Sequence, residues 1–292
     1  MKDRRPAVRV RTVFVAGAYG LLLLAMGGAV PLRAERPTFI GSRRQQLEAA
    51  ARVPWKELTP EASAKLRNVV SRPSIYRRMP VETIDCDRDL FVFLVRYPEV
   101  VVNIWRRMGI TKCRIKRTDK YAVRTNDGAG TKSEVELVYG TPGLHLFYAE
   151  GEYTGPLVRR PVSGRCVMML TSRYSGTPER PRVTNQLDVF LQLDHAAAEF
   201  VARTIHPLVG KTADTNFTRS LQFVTQIYQA ARRNQDRLQR LGMRLEGIEP
   251  AVRDRFLKLA AAAGQPERRE RVDGAGQSVE PASAQVRVGL SE

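Results

Sequence analysis

From residue 111 to residue 194 apolar and polar positions alternate with a period of two. Cys113 and Ile115 alternate with Lys112, Arg114 and Lys116. Tyr121 and Val123 follow a Thr118-Asp119-Lys120 turn, and Asn126-Asp127-Gly128 marks the next one. Val135, Leu137 and Tyr139 alternate with Glu134, Glu136 and Val138. Thr141-Pro142-Gly143 returns the chain into 144–153. Residues 166–170 are apolar on both faces, as in a central strand. After a polar loop over 175–181, Leu187, Val189, Leu191 and Leu193 alternate again. This pattern predicts about six strands joined by hairpin-length connections, hence an antiparallel sheet.

On either side of this block the period is helical. Residues 45–52 read as a short helix. Thr59-Pro60-Glu61 reads as a helix start, with a capping threonine and proline at the first helical position; Arg72-Pro73 stops that helix. Residues 81–86 fit a short strand, and 90–97 fit helix or strand. Pro98 opens an amphipathic helix carrying Val101, Val102, Ile104, Trp105 and Met108, which Gly109 ends. After the sheet, Asp194 is expected to cap a helix to Ile205, interrupted by His206-Pro207 and Gly210. A long helix is expected from about 212 to 244. Its seam is Phe217, Leu221, Val224, Tyr228 and Ala231, resuming at Leu238, Leu241 and Leu245. Residues 250–263 read as a last helix.

The expected organisation is therefore a leader (1–34), a peripheral helical segment (35–78), an α+β core (79–245), a C-terminal helix (246–263) and a tail without stable structure (264–292). The fold class is α+β: an antiparallel sheet of six to seven strands against a long C-terminal helix. The leader follows from order: Lys2, Arg4, Arg5, Arg9 and Arg11 precede a charge-free run over 13–30, then small residues and Ala34. This is the layout of a cleavable secretory signal, and an uncleaved anchor is the alternative. Either way the remainder is expected outside the cytoplasm, in the periplasm or beyond the cell.

Charge changes the picture of partners. The chain carries a formal +18. Six basic residues and one acidic residue lie in 1–34, so the remainder carries +13. An exported cationic protein meets anionic lipid, acidic wall polymer or nucleic acid; no specific nucleic-acid contact is expected. Cys86, Cys113 and Cys166 lack metal-ligand spacing, which excludes zinc ribbons and C-x-x-C redox motifs. One disulfide, or three buried thiols, are both open.

The order of elements over 80–233 is strand, two short helices with the 98–108 helix leading into the meander, about six strands and a long helix. It resembles the helix-grip fold of the START-like (SRPBCC) superfamily. The resemblance implies an apolar cavity between sheet and long helix, and binding of lipids, sterols or other hydrophobic small molecules. It implies no shared catalytic residues.

Other motifs carry less. Gly210-Lys211-Thr212 lacks the glycine that a phosphate loop needs five residues earlier, where Ile205 stands. His145, His195 and His206 form no metal or catalytic spacing, and no nucleophile elbow appears. Glu134 with Glu136, and Glu150 with Glu152, read as solvated strand faces. The Asn216-Phe217-Thr218 sequon falls in the core seam. No catalytic residue, metal ligand or cofactor is expected. The residues proposed to line a ligand pocket are Trp105, Tyr121, Tyr139, His145, Phe147 and Tyr153. Three functions stand in order: binding of a lipid or other hydrophobic molecule in that pocket, an envelope-associated contact made by the basic surface, and an enzyme. A sealed pocket behind the long helix favours the first, a filled core with a basic stripe the second, and a cleft from His145 to Glu150 or Glu152 the third.

Overall fold

Local signals set most element starts. In the computed structural model, residues 42–155, 160–194, 206–265 and 286–287 are described, with only the backbone for 206–212 and 286–287. The expected leader, the helix expected over 195–205 and most of the expected tail lie outside the described residues. Helix α1 (Arg43–Ala51) opens with a capping box: Ser42 Oγ accepts from Gln45 N, and Gln45 Oε1 accepts from Ser42 N. Helix α2 (Pro60–Ser71) is capped by Thr59 and has Pro60 in its first turn. Two short strands follow, β1 (Ile75–Arg78) and β2 (Glu82–Asp85). Helices α3 (Arg88–Arg96) and α4 (Pro98–Arg107) come next, with Asp87 accepting from Asp89 N and Leu90 N to start α3.

The meander contains β3 (Arg114–Arg117), β4 (Ala122–Asn126), β5 (Thr131–Gly140), β6 (Leu144–Tyr153), β7 (Val162–Thr177) and β8 (Arg180–Leu193). Helices α5 (His206–Arg233), α6 (Gln235–Met243) and α7 (Pro250–Gly264) follow, and β9 (Val286–Arg287) comes last. The sheet runs β1-β8-β7-β6-β5-β4-β3, with β2 also on β8 and β9 on β5. All these pairings are antiparallel. The protein is an α+β fold of helix-grip-like form.

Alternation along the strands gives the sheet two apolar faces. On the inner face Val123, Val135, Leu137, Phe147, Cys166 and Met168 pack with side chains of α3, α4, α5 and α7. The seam Phe217, Leu221, Val224, Tyr228 and Ala231 is buried there, and Leu238 and Leu245 extend it. Phe256 of α7 is fully buried and stacks 6.1 Å from Phe93 of α3. On the outer face Leu146, Tyr148, Val167, Met169 and Phe190 meet Leu66, Val69 and Val70 of α2 and Ala49 of α1. Burying side chains of this size gives about 1.5–3 kcal/mol each, which both layers need because both faces are apolar.

Several elements differ from their expected form. Residues 75–78, assigned to the peripheral helical segment, are a strand, because Tyr76 supplies an outer-face aromatic while Arg77 and Arg78 find acidic partners. Residues 90–97 resolve as helix. The polar stretch 175–181 is not a loop: β7 and β8 continue through it to a tight turn at 178–179, with Gly176 at φ 92°. The long helix begins earlier, at His206, and Pro207 sits in its first turn where no backbone donor is needed. It ends at Arg233, and Asn234, at φ −150°, separates it from α6. Of the expected tail, Gly264 closes α7, and Val286 and Arg287 pair with Gly140 and Tyr139.

Candidate functional site

The six residues expected to line a pocket do not converge. Trp105 is buried on α4, its ring 5.4 Å from Phe223 of α5. Tyr121 is half-buried just before β4, with Lys120 Nζ 5.2 Å from its ring centroid. His145 and Phe147 lie side by side on the inner face of β6, with ring centroids 6.3 Å apart. Tyr153 is buried at the far end of that strand, tight against the backbone of Gly130 and Gly155. Tyr139 is on the outer face, where its hydroxyl donates to Glu57 Oε2 at 2.6 Å. The cause is a bulge: Leu137 pairs with Phe147, yet Tyr139 pairs with Leu146. The extra residue turns Tyr139 to the other side, which strict alternation does not anticipate.

His145 is fully buried. Its Nε2 accepts from Arg96 Nε at 3.2 Å, and Arg96 Nη2 donates to Gly140 O at 3.1 Å. Burial, and then the Arg96 charge, lower the imidazole pKa to about 3. Burial also lowers the Arg96 pKa, with the Arg255 charge adding to it. A neutral imidazole that accepts at Nε2 carries its proton on Nδ1, which has no partner among the described residues. Glu150 pairs with Arg165 on the opposite face of the sheet from His145, so no cleft joins this histidine to the carboxylates of β6.

Two concave surfaces among the described residues lie elsewhere. One, of about 680 Å³, is a shallow depression on α6 and α7 lined by Gln239, Asp254, Arg255 and Lys258. The other, of about 460 Å³, opens at the β3–β4–β5 edge and is lined by Lys112, Arg114, Asn126, Gly128, Gly130 and Lys132. Its geometry follows from register. Arg114 pairs with Asn126 and Lys116 with Arg124; Asn126 pairs with Lys132 and Arg124 with Glu134. Alternation then sets Arg114, Lys116, Arg124 and Lys132 on one face, with Lys112 just before the strand. All five are exposed.

Four of these five cations lack an ion pair among the described residues, although Glu152 is the cross-strand neighbour of Lys132. The four are Lys112, Arg114, Lys116 and Lys132; Arg124 meets Glu134 at 3.6 Å. Another nearby acid, Asp127, is turned into its own loop: Oδ1 accepts from Ala129 N at 2.7 Å and from Thr131 N at 2.9 Å. Gly128 and Gly130 have φ of 74° and 119°, and a Cβ on Gly130 would fall 2.5 Å from Gly155. Glycine thus lets the loop close against the sheet end and leaves the cations facing water. Glu134, Glu136, Glu150 and Glu152 continue the same face as an acidic band beside the basic edge. The alternation of Lys112, Arg114 and Lys116 was visible along the chain. The addition of Arg124 and Lys132 across two strand pairs was not.

No protein-family model matches the chain, and no curated protein matches it. Solved structures with partial likeness exist. A conserved protein from Geobacillus kaustophilus has 8% identity and a TM-score of 0.35, over 50% of this chain and 93% of that one. A hypothetical protein from Helicobacter pylori has 10% identity and a TM-score of 0.35, over 51% and 86%. The di-domain ARO/CYC protein BexL of the BE-7585A biosynthetic pathway has 13% identity and a TM-score of 0.28, over 63% and 58%. Likenesses this distant leave the function to the chain's own residues.

The cysteines stay apart. Cys86, Cys113 and Cys166 are buried free thiols, and burial raises the pKa of each, to about 12 for Cys113 and Cys166. Among the described residues no group of three His, Cys, Asp or Glu side chains is placed to hold a metal ion. No described helix is long and apolar enough to cross a membrane. Asn216 of the sequon is 2% exposed, so a glycan has no room there.

Proposed function

We propose that this is an exported, non-catalytic protein whose β3–β4–β5 edge binds a polyanionic surface of the cell envelope, either anionic lipid or wall polymer. The observation that carries the reading is the cluster of five exposed cations, four of them without an ion pair among the described residues, around the 460 Å³ concavity. Repeated anionic groups gain from such a cluster because the cations are held together by the sheet and need not be gathered on binding. The contact of the Trp105 and Phe223 rings, 5.4 Å apart, agrees with this reading. The test is binding of the full chain to polyphosphate and to phosphatidylglycerol vesicles. A Lys112→Glu/Arg114→Glu/Lys132→Glu variant should lose most binding to both. Wild-type binding should fall as salt rises, since screening acts over about 8 Å at physiological ionic strength. Unchanged binding by the triple variant would remove the edge from the account.

A second reading, a helix-grip pocket for a hydrophobic ligand, has its own support. An antiparallel sheet packed against α5, as the START-like resemblance implies, supports it. Trp105 Nε1, Asn216 Nδ2 and Ser220 Oγ are buried on the helix side without hydrogen-bond partners among the described residues. A bound molecule with polar atoms would satisfy them, and polar groups left unsatisfied in a core are costly. Native mass spectrometry supports this reading if lipid co-purifies and if Trp105 emission shifts with added fatty acid at high salt. Absence of both excludes it.

A further inference from the structure

The cations of the β3–β4–β5 edge share their face of the sheet with the carboxylates of β5 and β6, and strand register puts the two sets in order. Two rows cross the strands on this outer face. In one, Arg114 of β3 stands beside Asn126 of β4, Lys132 of β5 and Glu152 of β6. In the next, Lys116 stands beside Arg124, Glu134 and Glu150. All of these side chains except Asn126 are exposed. Helices α1 and α2 cover the outer face over Leu146, Tyr148, Val167, Met169 and Phe190 and leave the two rows open. Their border is Lys65 of α2, whose Nζ lies 2.8 Å from Glu136 Oε2. Within the rows, Arg124 meets Glu134 at 3.6 Å and Arg165 of β7 meets Glu150 at 3.4 Å. Ion pairs this exposed hold weakly, so the same groups remain free to meet a partner.

We propose that this face binds a second copy of the chain, sheet against sheet, about a two-fold axis running along the strands between β4 and β5. That rotation keeps each row opposite itself and exchanges β4 with β5 and β3 with β6. Arg124 then faces Glu134 of the second copy, Lys116 faces its Glu150 and Arg114 faces its Glu152. Lys132 faces the neutral Asn126, and the symmetry repeats every pair. An axis across the strands would instead set Arg114 against Lys116 and Glu150 against Glu152, so the charge pattern also selects the orientation. Stacked sheets lie about 10 Å apart, a gap that long arginine, lysine and glutamate side chains span from both sides. Charge complementarity favours a second copy over an acidic partner, because only a copy offers cations to the acidic band as well as carboxylates to the basic one. The proposal goes beyond the polyanion reading, which uses the cations alone. The two occupants share Arg114 and Lys116 and so exclude each other.

The test is sedimentation equilibrium of the full chain at low salt, with two charge-reversed variants. Arg114→Glu/Lys116→Glu sets carboxylate against carboxylate in its own pair, and Glu150→Lys/Glu152→Lys sets cation against cation. Each variant alone should dissociate about tenfold more readily than wild type, or more. Mixed in equal amounts they should associate as tightly as wild type, because every crossing pair between the two variants is again of opposite sign. High salt should separate the wild-type pair. A wild-type chain that stays monomeric at low salt would overturn the proposal. So would a pair that both variants leave intact, since it would form through another surface. Failure of the mixture to associate, with both variants keeping the wild-type melting temperature, would overturn it as well. None of these outcomes bears on polyphosphate binding, which is measured separately.

Discussion

Arg77 and Arg78, successive residues of β1, send their guanidinium groups to opposite faces of the sheet. Arg77 reaches Asp214 on α5 through two hydrogen bonds, one of them at 3.1 Å from Nε. Arg78 Nε donates to Asp188 Oδ1 at 2.8 Å, and its Nη1 lies 3.4 Å from Glu48 of α1. One four-residue strand therefore ties both helical layers to the sheet.

Asp188 is the stronger of the two anchors. It is fully buried and also accepts from Tyr76 Oη and Arg52 Nη2, each at 2.5 Å. Desolvation and the Asp188 carboxylate together raise the Tyr76 pKa. Removing one partner of a buried pair leaves the other charge uncompensated, which costs about 3–5 kcal/mol. Asp188→Ala should therefore lower the urea unfolding free energy by that amount, and Asp214→Asn, at a more exposed site, by less. Equal, small losses would mean that the outer network contributes little.

His145 predicts a pH dependence. In the unfolded chain its imidazole titrates near 6.5, and in the folded protein near 3. Below pH 6.5 the unfolded state binds a proton that the folded state does not. Stability therefore falls as pH drops from 6.5 towards 3, by ~1.4 kcal/mol per unit. Wild type should lose ~2 kcal/mol between about pH 7 and pH 5 through this group, a loss that His145→Gln should lack. Parallel pH profiles for the two proteins would show that the ring protonates in place.

The α5 seam gives a packing test. Leu221 is 7% exposed among Phe217, Val224 and Tyr228. Leu221→Ala should cost about 2–5 kcal/mol by thermal or urea unfolding. Leu47→Ala, on the exposed side of α1, should stay within about 0.5 kcal/mol. A small effect at Leu221 would place the helix off the sheet.

The thiols give a chemical test. With burial holding all three above their ordinary pKa, Cys86, Cys113 and Cys166 should resist a thiol reagent in native buffer and react together in denaturant. Reductant should leave the melting temperature unchanged. Rapid native labelling of one cysteine would show that its segment opens locally.

These residues also show what the sequence carried. The seam of α5, the cap at Thr59, and the period-two run from Cys113 to Leu193 were legible because each is a local signal: a spacing, a side-chain oxygen or an alternation. The strand over 75–78 was not, since Ile-Tyr-Arg-Arg becomes a strand only when Asp188 and Asp214 neutralise it from distant elements. Tyr139 departs from the expected pocket set for a different reason. Tyr139 changed face through a bulge that adds one residue to β5, and nothing near Val138 signals it. The basic edge was half visible, because the charges of one strand can be read along the chain and those of its neighbours need the pairing.

The pairing of β1 and β2 with β8 also sets the order of assembly. Strands β3 to β8 follow one another as neighbours and close over short spans, whereas Tyr76 meets Asp188 across 112 residues. Contacts of that separation form late, after the meander has supplied a surface to receive them. During synthesis β8 emerges after every other long strand, and until then the 16-residue edge of β7 has no partner on that side. A bare edge of that length recruits strands from other chains. Premature termination between β7 and β8 should therefore yield aggregates rather than a smaller soluble domain.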